Sequence, residues 1–113
     1  MNKNLLGFFM FSVAAVSATA WAADAPISTL YNQKCASCHG KDGKGAAPMA
    51  KMLKTDLSAL DLTDPSTMEK KDEVLDEITR TGVGKMPSYS AKLKAEEIRA
   101  LTAYIRSLAK PKS

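Results

Sequence analysis

From Ala23 onward the chain contains no phenylalanine and no tryptophan. Phe8, Phe9, Phe11 and Trp21 all fall within the first 22 residues, and only Tyr31, Tyr89 and Tyr104 remain as aromatics beyond them. The division matters because the first 22 residues read as a signal peptide. Lys3 is a basic start, Leu5 to Val16 is an apolar run of 12 residues, and Ala20-Trp21-Ala22 has the small-x-small pattern of a cleavage site. Cleavage after Ala22 leaves residues 23–113 as one domain, near the size at which a core alone supplies modest stability. The competing reading keeps the segment as an uncleaved membrane anchor. Leu5 to Ala23 almost reaches spanning length, although Ser12, Ser17 and Thr19 dilute it. A core without Phe or Trp is poor, and a large apolar body from outside the sequence would help this one fold.

The stretch Lys34-Cys-Ala-Ser-Cys-His-Gly40 says what that body is. Cys35, Cys38 and His39 are the only cysteines and the only histidine in the chain. A Cys35–Cys38 disulfide would suit an oxidising compartment, but it closes a very short loop and leaves His39 unexplained. A thioredoxin-like thiol pair belongs at a helix N-terminus beside a parallel sheet, whereas here a helical pattern precedes the cysteines and no strands are evident. A structural zinc site lacks a fourth Cys or His. Covalent haem uses every residue. The two thiols add to the two vinyl groups on one porphyrin edge, two residues let the chain bridge them, and the adjacent histidine is held beneath the iron. One covalent haem c is therefore the expected cofactor, with Cys35 and Cys38 as thioether positions and His39 as an axial ligand.

The rest of the chain reads as helices joined by long loops. Pro26 suits a first turn with Asp24 as its cap, and Ile27, Leu30, Tyr31 and Lys34 follow at helical spacing, which places Cys35 at the helix end. Gly40, Gly43 and Gly45 mark a loop, Pro48 to Leu53 a short helix, and Leu57 to Met68 mostly loop with a turn at Asp64-Pro65. Asp72 to Thr81 is helical, with Val74, Leu75 and Ile78 inward and Gly82 as its stop. The clearest helix is Ala95 to Leu108, with Ile98, Leu101, Thr102, Ile105 and Leu108 as its buried stripe and a weak cap at Lys94.

No second histidine exists to fill the iron's other face, so the candidates are methionines. Met49 and Met52 read as helical core filler, and Met68 lies in an acidic, irregular stretch. Met86 sits in the loop Gly82-Val-Gly-Lys-Met-Pro87, where glycines permit close backbone approach and Pro87 stiffens the chain behind the sulfur. Met86 is the expected second axial ligand.

Charge is segregated along the sequence. Residues 24–55 carry five Lys and two Asp, residues 56–77 eight acids and two Lys, and residues 78–113 eight bases and two Glu. Such asymmetry can steer docking to a charged protein. No aromatics interleave with the lysines, so nucleic-acid binding has little support.

Taken together, "CASCHG", the "DGKG" loop, "GKMPSY" and the helix "AEEIRALTAYIRSL" resemble the small bacterial class I monohaem cytochromes c. The resemblance implies an all-α fold of three to five helices wrapped around one covalent haem. It implies a periplasmic, monomeric electron carrier that docks transiently with larger redox complexes of a respiratory chain and is not an enzyme. The alternative is a haem enzyme or small-ligand sensor with an open distal site. It further implies that Pro48 offers its carbonyl to His39 Nδ1, and that Tyr31, Leu101 and Tyr104 meet where the first and last helices cross. The family often has glycine at the position of Ile27, so a wider or displaced crossing is expected, with Ser28 as the nearest small residue. Lys34, Lys41, Lys44 and Lys85, near the motifs in sequence, are the expected ring of positive charge around the haem edge.

Overall fold

Six α-helical segments and one 3-10 turn follow each other without a strand over residues 26–111, which are the residues described by this computed structural model. The signal segment 1–22 and the cap position Asp24 lie outside them. The segments are α1 (Ile27–Lys34), α2 (Ala36–His39), α3 (Ala47–Leu53), the 3-10 turn Leu57–Leu60, α4 (Pro65–Met68), α5 (Asp72–Thr81) and α6 (Ala95–Ala109). Two of the six are single turns of four residues, which leaves four longer helices, within the range the sequence implied.

The core forms where α6 packs on α1. Tyr31, Leu93, Ile98 and Leu101 make its buried centre, and Ile27, Leu30, Tyr104, Ile105 and Leu108 close around it. Tyr31 and Leu101 are fully buried, each contributing roughly 1.5–3 kcal/mol of apolar transfer. The rings of Tyr31 and Tyr104 meet at a centroid distance of 5.0 Å with planes 51° apart, a favourable tilted geometry. Ile27, where the family often has glycine, is partly buried and packs against this cluster.

α5 docks on the other side of α6. Leu75 is buried, and Thr102 Oγ1 donates to Asp76 Oδ1 at 2.5 Å. With Leu75 and Asp76 turned toward α6, Val74 is carried round to solvent and is 43% exposed, against the sequence expectation. Arg106 ties α6 to the chain entering α5. Its Nε donates to Asp72 Oδ1 at 2.6 Å, Nη1 to the Met68 carbonyl at 3.2 Å and Nη2 to the Lys70 carbonyl at 2.5 Å.

Two stretches are more ordered than the sequence suggests. The segment expected as loop, Leu57 to Met68, contains the 3-10 turn and α4. The latter starts because Asp64 caps it, Oδ1 accepting from Thr67 N–H at 3.0 Å and Oδ2 from Ser66 Oγ at 2.9 Å, with Pro65 in the first turn. Lys94 cannot accept a hydrogen bond, but Glu97 reaches back to the Lys94 N–H at 2.8 Å and supplies half of a capping box. Met52, expected as core filler, is 73% exposed, because in the short α3 only Ala50 is buried.

Candidate functional site

α1 ends at Lys34, and the chain turns at Cys35 into the single turn α2 that carries Cys38 and His39. Two tyrosine hydroxyls fix the ends of this segment. Tyr89 Oη donates to the Lys34 carbonyl at 2.8 Å, and Tyr31 Oη donates to the Gly40 carbonyl at 2.6 Å. Burial chiefly raises the pKa of both phenols, so both remain donors at neutral pH. Backbone bonds from Gly45 N to the His39 carbonyl (2.7 Å) and from Ala46 N to the Cys38 carbonyl (3.0 Å) complete the frame.

Cys35, Cys38, His39 and Met86 all line one cavity of about 530 Å³. That volume lies in the range of cofactor pockets. Its walls are largely apolar, from Leu53, Leu60, Leu62, Leu75, Ile78 and Pro87. Of the methionines in the described residues, Met86 alone reaches it; Met49, Met52 and Met68 do not. The two acidic side chains in the lining are engaged elsewhere. Asp61 accepts from the Thr63 N–H and hydroxyl, both at 2.7 Å, and Asp64 caps α4.

His39 Nδ1 stands 2.9 Å from the Leu60 carbonyl, to which it can only donate. That fixes the tautomer and leaves the Nε2 lone pair free. Burial lowers the imidazole pKa, with the Leu60 bond opposing, so the ring favours the neutral form that a metal ligand requires. The partner is not Pro48, as the resemblance implied. Pro48 lies in the first turn of α3, where its carbonyl is directed along the helix axis, and the 3-10 turn brings Leu60 under the imidazole instead. The acceptor lies 21 residues from His39 in sequence rather than nine, and no residue type marked it.

Cys35 and Cys38 are not joined to each other by a disulfide. Burial, and then the neighbouring Cys38, push the Cys35 thiol up to about 11. A redox-active thiol pair needs the opposite shift. Among the described residues, no three His, Cys, Asp or Glu side chains form a group that could hold a metal ion by themselves. The site suits a bulky, apolar, iron-bearing group anchored by two thiols, with a neutral imidazole and a thioether available from the walls. Haem c fits it.

A family profile described as cytochrome c oxidase, cbb3-type, subunit III matches residues 22–105.

The chain is a class I c-type cytochrome.

Relatives of this cytochrome include the cbb3-type cytochrome c oxidase subunit CcoP of Cereibacter sphaeroides, 32% identical over 83 residues, or 72% of this chain and 26% of that subunit. Cytochrome c6 of Microcystis aeruginosa is 31% identical over 78 residues, or 69% of this chain and 88% of that protein. The solved KustC0563 c-type cytochrome superposes with a TM-score of 0.63 at 27% identity, covering 76% of this chain and 100% of that one. The chain thus spans about a quarter of the length of the cbb3-type subunits it matches.

Of the four lysines expected around the haem edge, Lys34 and Lys85 line the cavity of this cytochrome, while Lys41 and Lys44 stay on the exposed glycine loop away from it. Lys54 and Lys70 take their place in the lining. Sequence proximity to the motif could not find these two, since the chain between α3 and α5 brings them round. No helix of the described residues is long and apolar enough to cross a membrane.

Proposed function

We propose that this cytochrome is a periplasmic carrier of single electrons between larger redox complexes, holding one haem c through thioethers at Cys35 and Cys38 and through His39 and Met86 as axial ligands. The observation that carries the reading is the convergence of those four residues on one apolar cavity, with His39 already oriented by Leu60. One Cys-x-x-Cys-His motif implies one haem. The haem supplies the redox chemistry, its iron passing between ferrous and ferric states.

The protein's own part is to hold, shield and present. Leu60 keeps the imidazole basic and fixed. The leucine and isoleucine walls offer an apolar surface for the haem to pack against, and a thioether ligand favours the ferrous state relative to two nitrogen ligands. With both His39 and Met86 available to hold the iron, small molecules would be denied it, which is why a carrier is inferred rather than an enzyme or a sensor. Lys34, Lys54, Lys70 and Lys85 beside the cavity suit transient docking with an acidic face of a partner. The match across most of cytochrome c6 favours a stand-alone carrier over an oxidase subunit, and the amino-terminal signal pattern favours export.

A potentiometric titration with carbon monoxide challenge tests the proposal. The carrier reading expects a reversible one-electron wave and a ferrous form that takes up carbon monoxide slowly. Rapid, stoichiometric binding would instead establish an open distal site and the sensor or enzyme reading.

A further inference from the structure

Met86 sits between two residues whose side chains reach the ends of two different helices. Three positions after it, Tyr89 Oη donates to the carbonyl of Lys34, the last residue of α1. One position before it, the Lys85 ammonium donates to the carbonyl of Leu53, the last residue of α3. Last-turn carbonyls have no partner within their helix and lie at the negative end of its dipole, so a hydroxyl and an ammonium are well matched to them. All four residues line the same cavity as Met86.

The two attachments differ in what backs them. Tyr89 is held at its own backbone, its N–H donating to the Thr79 carbonyl at 3.1 Å and its carbonyl accepting from Leu93 N–H at 2.9 Å, and its ring packs on the core cluster. The chain before Met86 leaves α5 at Gly82, whose N–H donates to the Ile78 carbonyl at 2.8 Å, and beyond that its backbone closes on itself by the paired bonds between Val83 and Met86 at 2.9 and 3.1 Å, with Val83 61% exposed. Without the Lys85 contact that side has no tie of its own to the opposite wall.

We propose that Tyr89 and Lys85 are positioning residues for Met86, pinning its segment at both ends to the carboxyl termini of α1 and α3 and so setting how closely the sulfur is held to the iron. The inference rests on Met86 being an axial ligand. Because α1 leads directly into Cys35, the Tyr89 pin also couples the thioether side of the site to the methionine side.

The test uses the haem-loaded protein and the variants Tyr89→Phe, Lys85→Met, their combination, and Lys85→Gln, which keeps a donor. The readouts are the ferric sulfur-to-iron absorption band against temperature, the carbon monoxide rate of the ferrous form, and the global unfolding midpoint. Loss of one ordinary hydrogen bond raises the detached fraction roughly fivefold, and carbon monoxide binds only to that fraction. Each single variant should therefore accelerate uptake roughly fivefold and the double variant roughly twentyfold, as two separate pins nearly add. The band should fade well below the unfolding midpoint, and Lys85→Gln should recover most of the loss. An unchanged band and uptake rate in the double variant, or a change confined to the unfolding midpoint, would overturn the proposal. Absence of the band in the unaltered protein would overturn Met86 ligation itself, before any variant is made. Should Tyr89→Phe fail to fold, the Lys85→Met and Lys85→Gln pair decides the same question by the same readouts.

Discussion

Gly82 is where a single added carbon should do the most damage for the least change in chemistry. Its φ of 77° and ψ of 167° lie in a region essentially reserved for glycine, and placing another residue there costs on the order of 1–3 kcal/mol. The space is also taken. A Cβ at Gly82 would lie 2.6 Å from the Met86 carbonyl oxygen and 2.9 Å from both Pro87 C and Ser88 N. These are backbone atoms, so relief requires moving the very segment that carries Met86 rather than rotating a side chain. Strain and displacement together put Gly82→Ala at roughly 3–4 kcal/mol, a large part of the stability of a domain this size. Gly84→Ala is the internal control. Gly84 has φ 55° but nothing within 4 Å of a built Cβ, so it bears only the left-handed strain of about 1–2 kcal/mol. Thermal unfolding of the two haem-loaded variants reads the difference directly. At about 4–8 °C per kcal/mol, Gly82→Ala should unfold at least 12 °C below the parent and Gly84→Ala roughly 4–16 °C below it. The sulfur-to-iron band should weaken in Gly82→Ala at temperatures where it is still folded. If Gly82→Ala melts no lower than Gly84→Ala and keeps the band, the close approach of Gly82 to the Met86 segment does not constrain the site.

Three further outcomes follow from other contacts. Arg106→Lys should lower the unfolding free energy by about 2 kcal/mol in urea titration, because an ammonium cannot serve Asp72 and the Met68 and Lys70 carbonyls together as the guanidinium fork does. The hydrogen bonds from Thr67 and Ser66 hold the Asp64 carboxyl below its ordinary range; its folded pKa lies below its unfolded one, so its stabilisation is present above about pH 4 and is lost as pH falls through the folded value. Asp64→Asn should therefore show a flatter fall in urea midpoint below about pH 4 than the parent. Pro48→Ala should leave the reduction potential unchanged, since Leu60 and not Pro48 accepts from His39, and should cost at most about 1 kcal/mol through the looser unfolded chain.

The residues that carry the chemistry were legible because they are local and chemically unusual. Cys35, Cys38 and His39 fall within five residues and are without competitors, and the missing Phe and Trp announced an extra body in the core. α5 and α6 were legible because helix periodicity and a stop glycine or proline agree over ten or more residues. What the sequence hid depends on where distant turns come to rest. The Leu60 carbonyl under His39 belongs to a backbone atom of an ordinary leucine, which no residue type marks. Lys54 and Lys70 reach the cavity through irregular chain, and Val74 is turned out because a polar pair, Asp76 with Thr102, sets how α5 docks on α6. The α4 turn was written as Asp64-Pro65, where cap and turn share one signature.

The measurement that bears most directly on the account is a visible to near-infrared spectrum of the purified, haem-loaded protein, oxidised and then reduced. Cysteine thioethers with His39 and Met86 ligation predict a sharp reduced c-type band together with the weak ferric sulfur-to-iron band. A c-type band without the sulfur band would contradict Met86 as a ligand and with it the closed-site carrier, and the lack of any c-type band would contradict the haem site itself.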